Sequence, residues 1–483
     1  MSTRMWVVPV LVTVPLAVSS CGTDARGADV LPGHSRPVFV HDWPHPREME
    51  FEDAGFQPAD PASALLVTPS GTRAWILEDA ADPVATIVAA IPLGRQFEAR
   101  DEIGAADAVA RRLSRRLSER LDAIAVDVRL AQDPDLTRVS IEVLAEDWKT
   151  ALSALVRTLR DAGQDASAAG SSVTGPLPSG GGATRPVAEL ARLVGSYPLA
   201  QPDPGIRVRP EAVNAFGERS LQPGSIALGI GGGVPAAEAR AALFELTAGW
   251  SAPGATAASA HPPALADTRI PADPLYTIVV PGFMSWLAIG HAMAPIEPDD
   301  EAAVAVMAEI INIRLNIETR EIRGLTNRAL LVLPAATDGA GLLHVRTSGR
   351  SESVAPLIRY SVEELSKIRT ARAAPSQEEL EQAKGGLVLG RWQESLDGAR
   401  RTVMTWAIET VRRGSLDHLL DWPDAVRAVT AADITAAAHK YIDPGALTAV
   451  VVGQIDEVRA ARHPRWPVAL DEVPALLRPA SRP

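Results

Sequence analysis

The chain repeats itself. SLQPGSIALGIGGG (residues 220–233) and YIDPGALTAVVVGQ (441–454) each carry a Pro-Gly turn that feeds an apolar run ending in glycine. Pro223-Gly224 of the first copy recurs as Pro444-Gly445 in the second. An amphipathic helical pattern precedes each copy, AVNAFGERS and ITAAAHKY, and a second helical stretch follows, AAEARAALFEL and the shorter IDEVRAAR. The front halves correspond more loosely. TRAWILEDAADPVATIVAAIPL gives two strands and then a helix around 104–117, while DPLYTIVVPGFMSWLAIGHAM gives two strands and then a helix from about Asp299 to Glu318. Two copies are too few for a solenoid, so the repeat predicts a pseudo-symmetric pair of α/β lobes. The first spans 51–250, the second 273–470, and 471–483 is a tail. With 483 residues, 46% of them hydrophobic, there is ample material for two cores.

Punctuation along the chain agrees with that division. The stretch 251–272 (SAPGATAASAHPPALADTRIPA) is small-residue and proline-rich, as a linker is. A second such stretch, DASAAGSSVTGPLPSGGGATRP (165–186), falls inside the first lobe, where so long a loop is unusual. In the second lobe Ser376 with Glu379 makes a capping box that opens one helix. Thr430 with Asp433 opens another, whose apolar positions Ile434, Ala437, Ala438 and Tyr441 keep helical spacing up to Pro444.

The N-terminus carries a different kind of signal. MSTRMWVVPVLVTVPLAVSSCGT has an arginine, a short apolar run and then small residues, the three-part build of a secretory leader. The run is too short for a spanning helix, which needs roughly 20 residues. Val18-Ser19-Ser20-Cys21 looks like the lipobox of bacterial lipoproteins, in which cleavage exposes the cysteine for acylation; the alternative is an ordinary leader with an incidental cysteine. No cysteine follows position 21, and acyl chains contribute about 0.8 kcal/mol per buried methylene to membrane attachment. Gly22 after the cysteine favours, by the same resemblance, the periplasmic face of the outer membrane. Residues 22–50 read as a tether, and Pro44 breaks any helix that could align His41 and His45 of HDWPH on one metal. Net charge is −12 and only four lysines occur, with no basic run, which argues against nucleic acid as a partner.

Four segments, taken in order, carry a family resemblance: TPSGTRAWILEDAADPV, INIRLNIETREIRGLTNRALL, EELEQAKGGLVLGRWQES and VTAADITAAAHKYIDPGALTAVVVG. Together they resemble the pitrilysin/insulinase family of zinc peptidases over about Phe51 to Val458. The resemblance implies an α+β fold of two homologous lobes, each a mixed, mostly antiparallel sheet with helices packed on it. It also implies a clamshell closing on a peptide.

The family's motif is His-x-x-Glu-His on the first helix of the active lobe, with zinc as cofactor and a third glutamate ligand some seventy residues on. The histidines must lie one turn apart to share a metal that keeps an open position for water. GAADAVARRL (104–113) occupies that place, and the three motif positions fall on Asp107, Ala110 and Arg111. No ligand and no general base survives, because a guanidinium stays protonated. Asp107 and Arg111 then read as an i, i+4 surface pair. The third ligand falls near the Gly/Ser/Pro stretch, where Glu189 is the one acidic residue between Asp165 and Asp203, and it reads as the surface of the next helix. In the second lobe the family places an arginine and a tyrosine seven residues apart to hold the peptide carbonyl. Here they fall on Arg320 and Asn327. Arg320 either keeps that role, as a strong donor to carbonyls, or only pairs with Glu318 or Glu321.

The expectation is therefore a protein with no bound zinc, inactive alone, and acting as the heterodimer partner of a catalytic zinc-peptidase homologue around a peptide or unfolded segment. The alternatives are a stand-alone peptide-binding or assembly protein and, less favoured, a hydrolase with an unrecognised metal site.

Overall fold

The computed structural model describes residues 55–162, 181–200, 208–250, 267–334, 341–370 and 372–478. Cys21, His41 and His45, and the calls made on residues 1–50, lie outside them. The strands and helices belong to one unit that begins at Phe56.

Six strands build the first sheet: β1 (Leu65–Val67), β2 (Arg73–Glu78), β3 (Val84–Ile91), β4 (Val126–Gln132), β5 (Thr137–Leu144) and β6 (Ala227–Gly232). Their order is β1-β2-β6-β3-β5-β4. The sequence assigns these places. VATIVAAI and ALGIGG are apolar or small throughout and occupy the centre, where both faces are covered, whereas TRVSIEVL alternates and sits further out. The second sheet has five strands, β7 (Leu275–Val279), β8 (Ser285–Met293), β9 (Ala329–Val332), β10 (Gly341–Gly349) and β11 (Thr448–Gly453), in the order β7-β11-β8-β10-β9. Both sheets are mixed and mostly antiparallel, as the resemblance implies. The repeat is topological as well: β6 runs parallel to β2 and antiparallel to β3, and β11 does the same with β7 and β8.

Short turns α1 (Pro61–Ala64) and α10 (Gln393–Ser395) aside, helices cover the sheets in two sets. In the first lobe α2 (Ala105–Leu121), α3 (Trp148–Ala162), α5 (Pro210–Ser220) and α6 (Ala236–Thr247) close one core with the sheet. In the second, α7 (Glu301–Asn316), α8 (Val354–Arg369), α9 (Gln377–Gly385), α12 (Asp417–Ala428), α13 (Ala431–Tyr441), α14 (Ile455–Ala460) and α15 (Val473–Leu477) close another. The capping boxes at Ser376 and Thr430 form as the sequence predicts, and Ile434, Ala437, Ala438 and Tyr441 are buried.

The remaining two helices are exchanged. α4 (Gly181–Val194) belongs to the first half of the chain, yet Leu190, Ala191 and Val194 pack on Ala288, Leu342, Val450 and Val452 of the second sheet. α11 (Ala399–Arg413) belongs to the second half, yet Val403, Trp406 and Ala407 pack on Trp75, Ala90 and Ala227 of the first. Polar contacts hold α11 there. Trp75 Nε1 donates to Thr410 Oγ1 at 2.9 Å, Arg400 pairs with Asp82 at 2.7 Å, and Arg412 pairs with Asp135 at 2.6 Å and Asp133 at 2.9 Å. A Cβ on Gly229 would lie 2.5 Å from the Val403 carbonyl oxygen, and one on Gly231 2.6 Å from that of Ala399. The glycines of ALGIGG are therefore the floor on which α11 rests.

Three segments differ from the sequence reading. The low-complexity stretch does not run to Pro186, because 181–186 is already the first turns of α4, with the proline inside the helix. The linker is docked by residue 267: Arg269 donates through Nε and Nη2 to the carbonyls of Leu193 and Arg192, satisfying the last turn of α4. Of the tail, Val473 and Leu477 are fully buried in the second core.

Candidate functional site

Asp107, Ala110 and Arg111 lie near the entrance of α2. Gly104 precedes the helix at φ +91° and, having no side chain, cannot cap it. The cap comes from Glu98, six residues upstream. Its Oε2 accepts from the Gly104 N–H at 2.8 Å and its Oε1 from the Ala106 N–H at 2.6 Å. The Tyr197 hydroxyl, from the segment that follows α4, donates to the same Oε2. Glu98 is only 5% exposed. Burial pushes its carboxyl up to about 7; the three donors oppose that rise, and the nearby Asp107 charge adds to it. Burial and the Glu98 charge likewise raise Tyr197 far above the ordinary phenol range. Beside this group Glu102 pairs with Arg219 of α5 at 2.7 Å.

The three motif positions follow within two turns. Asp107 and Arg111 are half-buried, and Arg111 is engaged by neighbouring groups. Ala110 is 0% exposed, inside the first core. The side chain where the family carries its general base thus points into packed hydrocarbon. Glu98, the carboxylate nearest the helix entrance, already spends both oxygens on helix N–H groups and on Tyr197. The residues at this position do not fit a zinc ion, and among the described residues no group of three or more His, Cys, Asp or Glu could hold a metal. Glu189 lies on α4 and pairs with Arg192, 3.1 Å from its Nε.

In the second lobe α7 runs on into a widened, π-helical turn over Ile317–Glu321. Arg320 sits on it with its side chain 56% exposed, and its Nε is 3.2 Å from Glu321 Oε1. Asn327 is exposed on the loop that follows. Arg323, three residues along, differs sharply from Arg320. It bonds Glu318 and lies 3.9 Å from the ring centre of Tyr360 and 4.8 Å from that of Trp466. Glu318 is therefore occupied by Arg323, and the neighbour left to Arg320 is Glu321.

Sequence reasoning missed Glu98 and Tyr197. A helix opening on an uncapped glycine signals that its N–H groups need an acceptor from elsewhere, and Glu98, Asp101 and Glu102 are the acidic candidates upstream. Nothing in GSYPLA marks Tyr197, which is brought in by the exchanged helix.

No family profile and no curated protein matches the chain. Solved structures do. The chain is similar to the peptidase M16 inactive domain from Pseudomonas fluorescens, at 18% identity and a TM-score of 0.59, over 83% of this chain and 98% of that one. A protease from Helicobacter pylori gives 14% identity and a TM-score of 0.62, over 82% and 100%. A chain of Complex III2 from Candida albicans, solved with Inz-5 bound, gives 11% and 0.59, over 86% and 99%. The fold is that of the M16, or pitrilysin/insulinase-like, peptidases: two lobes, each a mixed sheet under helices.

Proposed function

We propose that this chain is a non-catalytic protein of the pitrilysin/insulinase type, the partner subunit of a catalytic zinc-peptidase homologue, lending its second lobe to a shared peptide-binding chamber. The observation that carries this reading is the α2 entrance. Asp107, Ala110 and Arg111 stand where the motif belongs, Ala110 is sealed in the core, and Glu98 is consumed as a helix cap. That one solved neighbour is described as an inactive domain and another is a chain of a multi-subunit complex supports it. The lipobox at Cys21 supports attachment to the periplasmic face of the outer membrane, and Cys21→Ala should release the protein from the membrane fraction.

The test is co-expression with a homologue that carries His-x-x-Glu-His. The pair should copurify and cleave peptides, while this chain alone binds no stoichiometric zinc and cleaves none. One equivalent of tightly bound zinc, with activity lost to a chelator, overturns the reading. Failure to pair with any such homologue, together with peptide binding by the isolated chain that Arg320→Ala weakens, replaces it with a stand-alone binding role. Arg320, exposed and paired among the described residues with Glu321, is the residue offered to the peptide. A charged hydrogen bond is worth about 1.5–3 kcal/mol, so Arg320→Ala should weaken peptide handling by the pair roughly tenfold to a hundredfold. Arg328→Ala, at an exposed arginine, is the control. Arg323→Ala cannot serve, because that guanidinium is stacked on Tyr360 and Trp466.

A further inference from the structure

The parallel pairing of β7 with β11 leaves β7 at one edge of the second sheet, with no further strand beside it among the described residues. Ala449 N donates to Pro274 O at 2.8 Å and Val280 N to Gly453 O at 2.9 Å, so residues of even number turn their backbone groups toward β11. The N–H and C=O groups of Leu275, Thr277 and Val279 then point outward. The matching edge of the first sheet is filled. There Asp79 N donates to Gly232 O, the counterpart of Val280 to Gly453, and β1 pairs antiparallel along the outer side of β2. Among the described residues no strand does this for β7.

Exposed edges are normally blunted with charge, proline or a bulge. Here Pro274 and Pro281 bracket the strand, but none of Leu275, Thr277 and Val279 is a proline and no charged residue occurs from Pro274 to Gly290. Val279 is 71% exposed, and Phe283, in the connection from β7 to β8, is 86% exposed. On the other side of the strand Tyr276, Ile278 and Val280 join the apolar cluster under α4. A lipid surface suits this edge poorly, because a bilayer cannot satisfy outward backbone groups.

We propose that β7 is a docking edge, taking an extended, uncharged segment of another polypeptide as an added antiparallel strand. The segment's N–H and C=O groups pair with Leu275, Thr277 and Val279. One set of its alternate side chains extends the apolar face of Tyr276 and Ile278, and the other lies beside Val279 and Phe283. This goes beyond the partner role above and does not need it, since the edge takes a strand with or without a catalytic subunit.

The experiment uses the full mature chain and a fluorescent, end-blocked peptide of alternating threonine and leucine, read by anisotropy. Saturable binding is expected. Val279→Pro removes an outward N–H and leaves the bonds to β11 in place, so binding should fall by about tenfold or more while thermal unfolding is unchanged. A peptide N-methylated at every residue, with no donor left on either edge, should not bind the unaltered protein, which tests the same bonds without any variant having to fold. The proposal is overturned if the peptide does not bind, or if the N-methylated peptide or the Val279→Pro protein binds equally well. It is also overturned if the protein alone is a dimer that Val279→Pro dissociates, because the edge then serves a second copy.

Discussion

At matched positions of the repeat, the two central strands receive their exchanged helices in different ways. β6 presents Gly229 and Gly231 to α11; β11 presents Val450 and Val452 to α4. In the first lobe the helix backbone is pressed onto the strand backbone, and Trp75, Trp406, Thr410 and Arg412 lock it from the sides. In the second, side chains meet side chains and the helix stands off. Close approach of backbones is intolerant of any added atom, whereas interdigitated side chains lose only what is removed. One topology thus contains a brittle contact and a forgiving one.

The largest effect should come from breaking the brittle contact. Gly229→Val places two methyls and a Cβ against the Val403 carbonyl, and should cost roughly 4 kcal/mol or more. Loss of soluble, cooperatively unfolding protein is the measurement. The reciprocal change, Val450→Gly, should cost about 2–4 kcal/mol through an apolar gap and a looser backbone, leaving a folded protein with a lower urea midpoint. Equal effects of the two substitutions would remove the distinction.

Next in size is Arg412→Ala, which strands the buried Asp135 carboxylate between α11 and the first sheet and should cost about 1.5–3 kcal/mol, seen as a lower midpoint with an unchanged slope. The smallest effect concerns the helix entrances. Glu98 at α2 is raised by burial, while Asp300 at α7 is lowered, chiefly by its bond to Lys440 and then by that to Tyr441. A carboxyl raised on folding contributes stability below its unfolded value and loses it as pH rises through about 7. A lowered one contributes above its unfolded value and fails only in acid. Between pH 5 and 8, then, Glu98→Gln should flatten the fall of the melting temperature with rising pH by a few degrees, and Asp300→Asn should not alter its slope.

Much of this was legible in the residues. The repeat located β6, β11, α5 and α13, because a strand feeding from a Pro-Gly turn leaves a local signature. The loss of the zinc motif was equally plain at Asp107, Ala110 and Arg111, since ligand chemistry is a matter of residue type. What remained hidden was long-range. No local pattern says that Leu190 will sit on Val450, or that the glycines of ALGIGG wait for a helix from the other half of the chain. Arg320 and Arg323 look alike in REIRGLTN, and only the placement of Tyr360 and Trp466 separates an exposed arginine from a stacked one.

The exchanged helices also bear on ancestry. α4 ends at Val194 and α11 at Arg413, nearly the same separation along the chain as that between Pro223 and Pro444. A single ancestral half would have held its own sheet but kept the covering helix pointed elsewhere. Two such halves could complete each other only as a swapped pair, each lending its helix to its twin. Joining the two by a linker such as 251–272 would then have fixed the exchange within one chain.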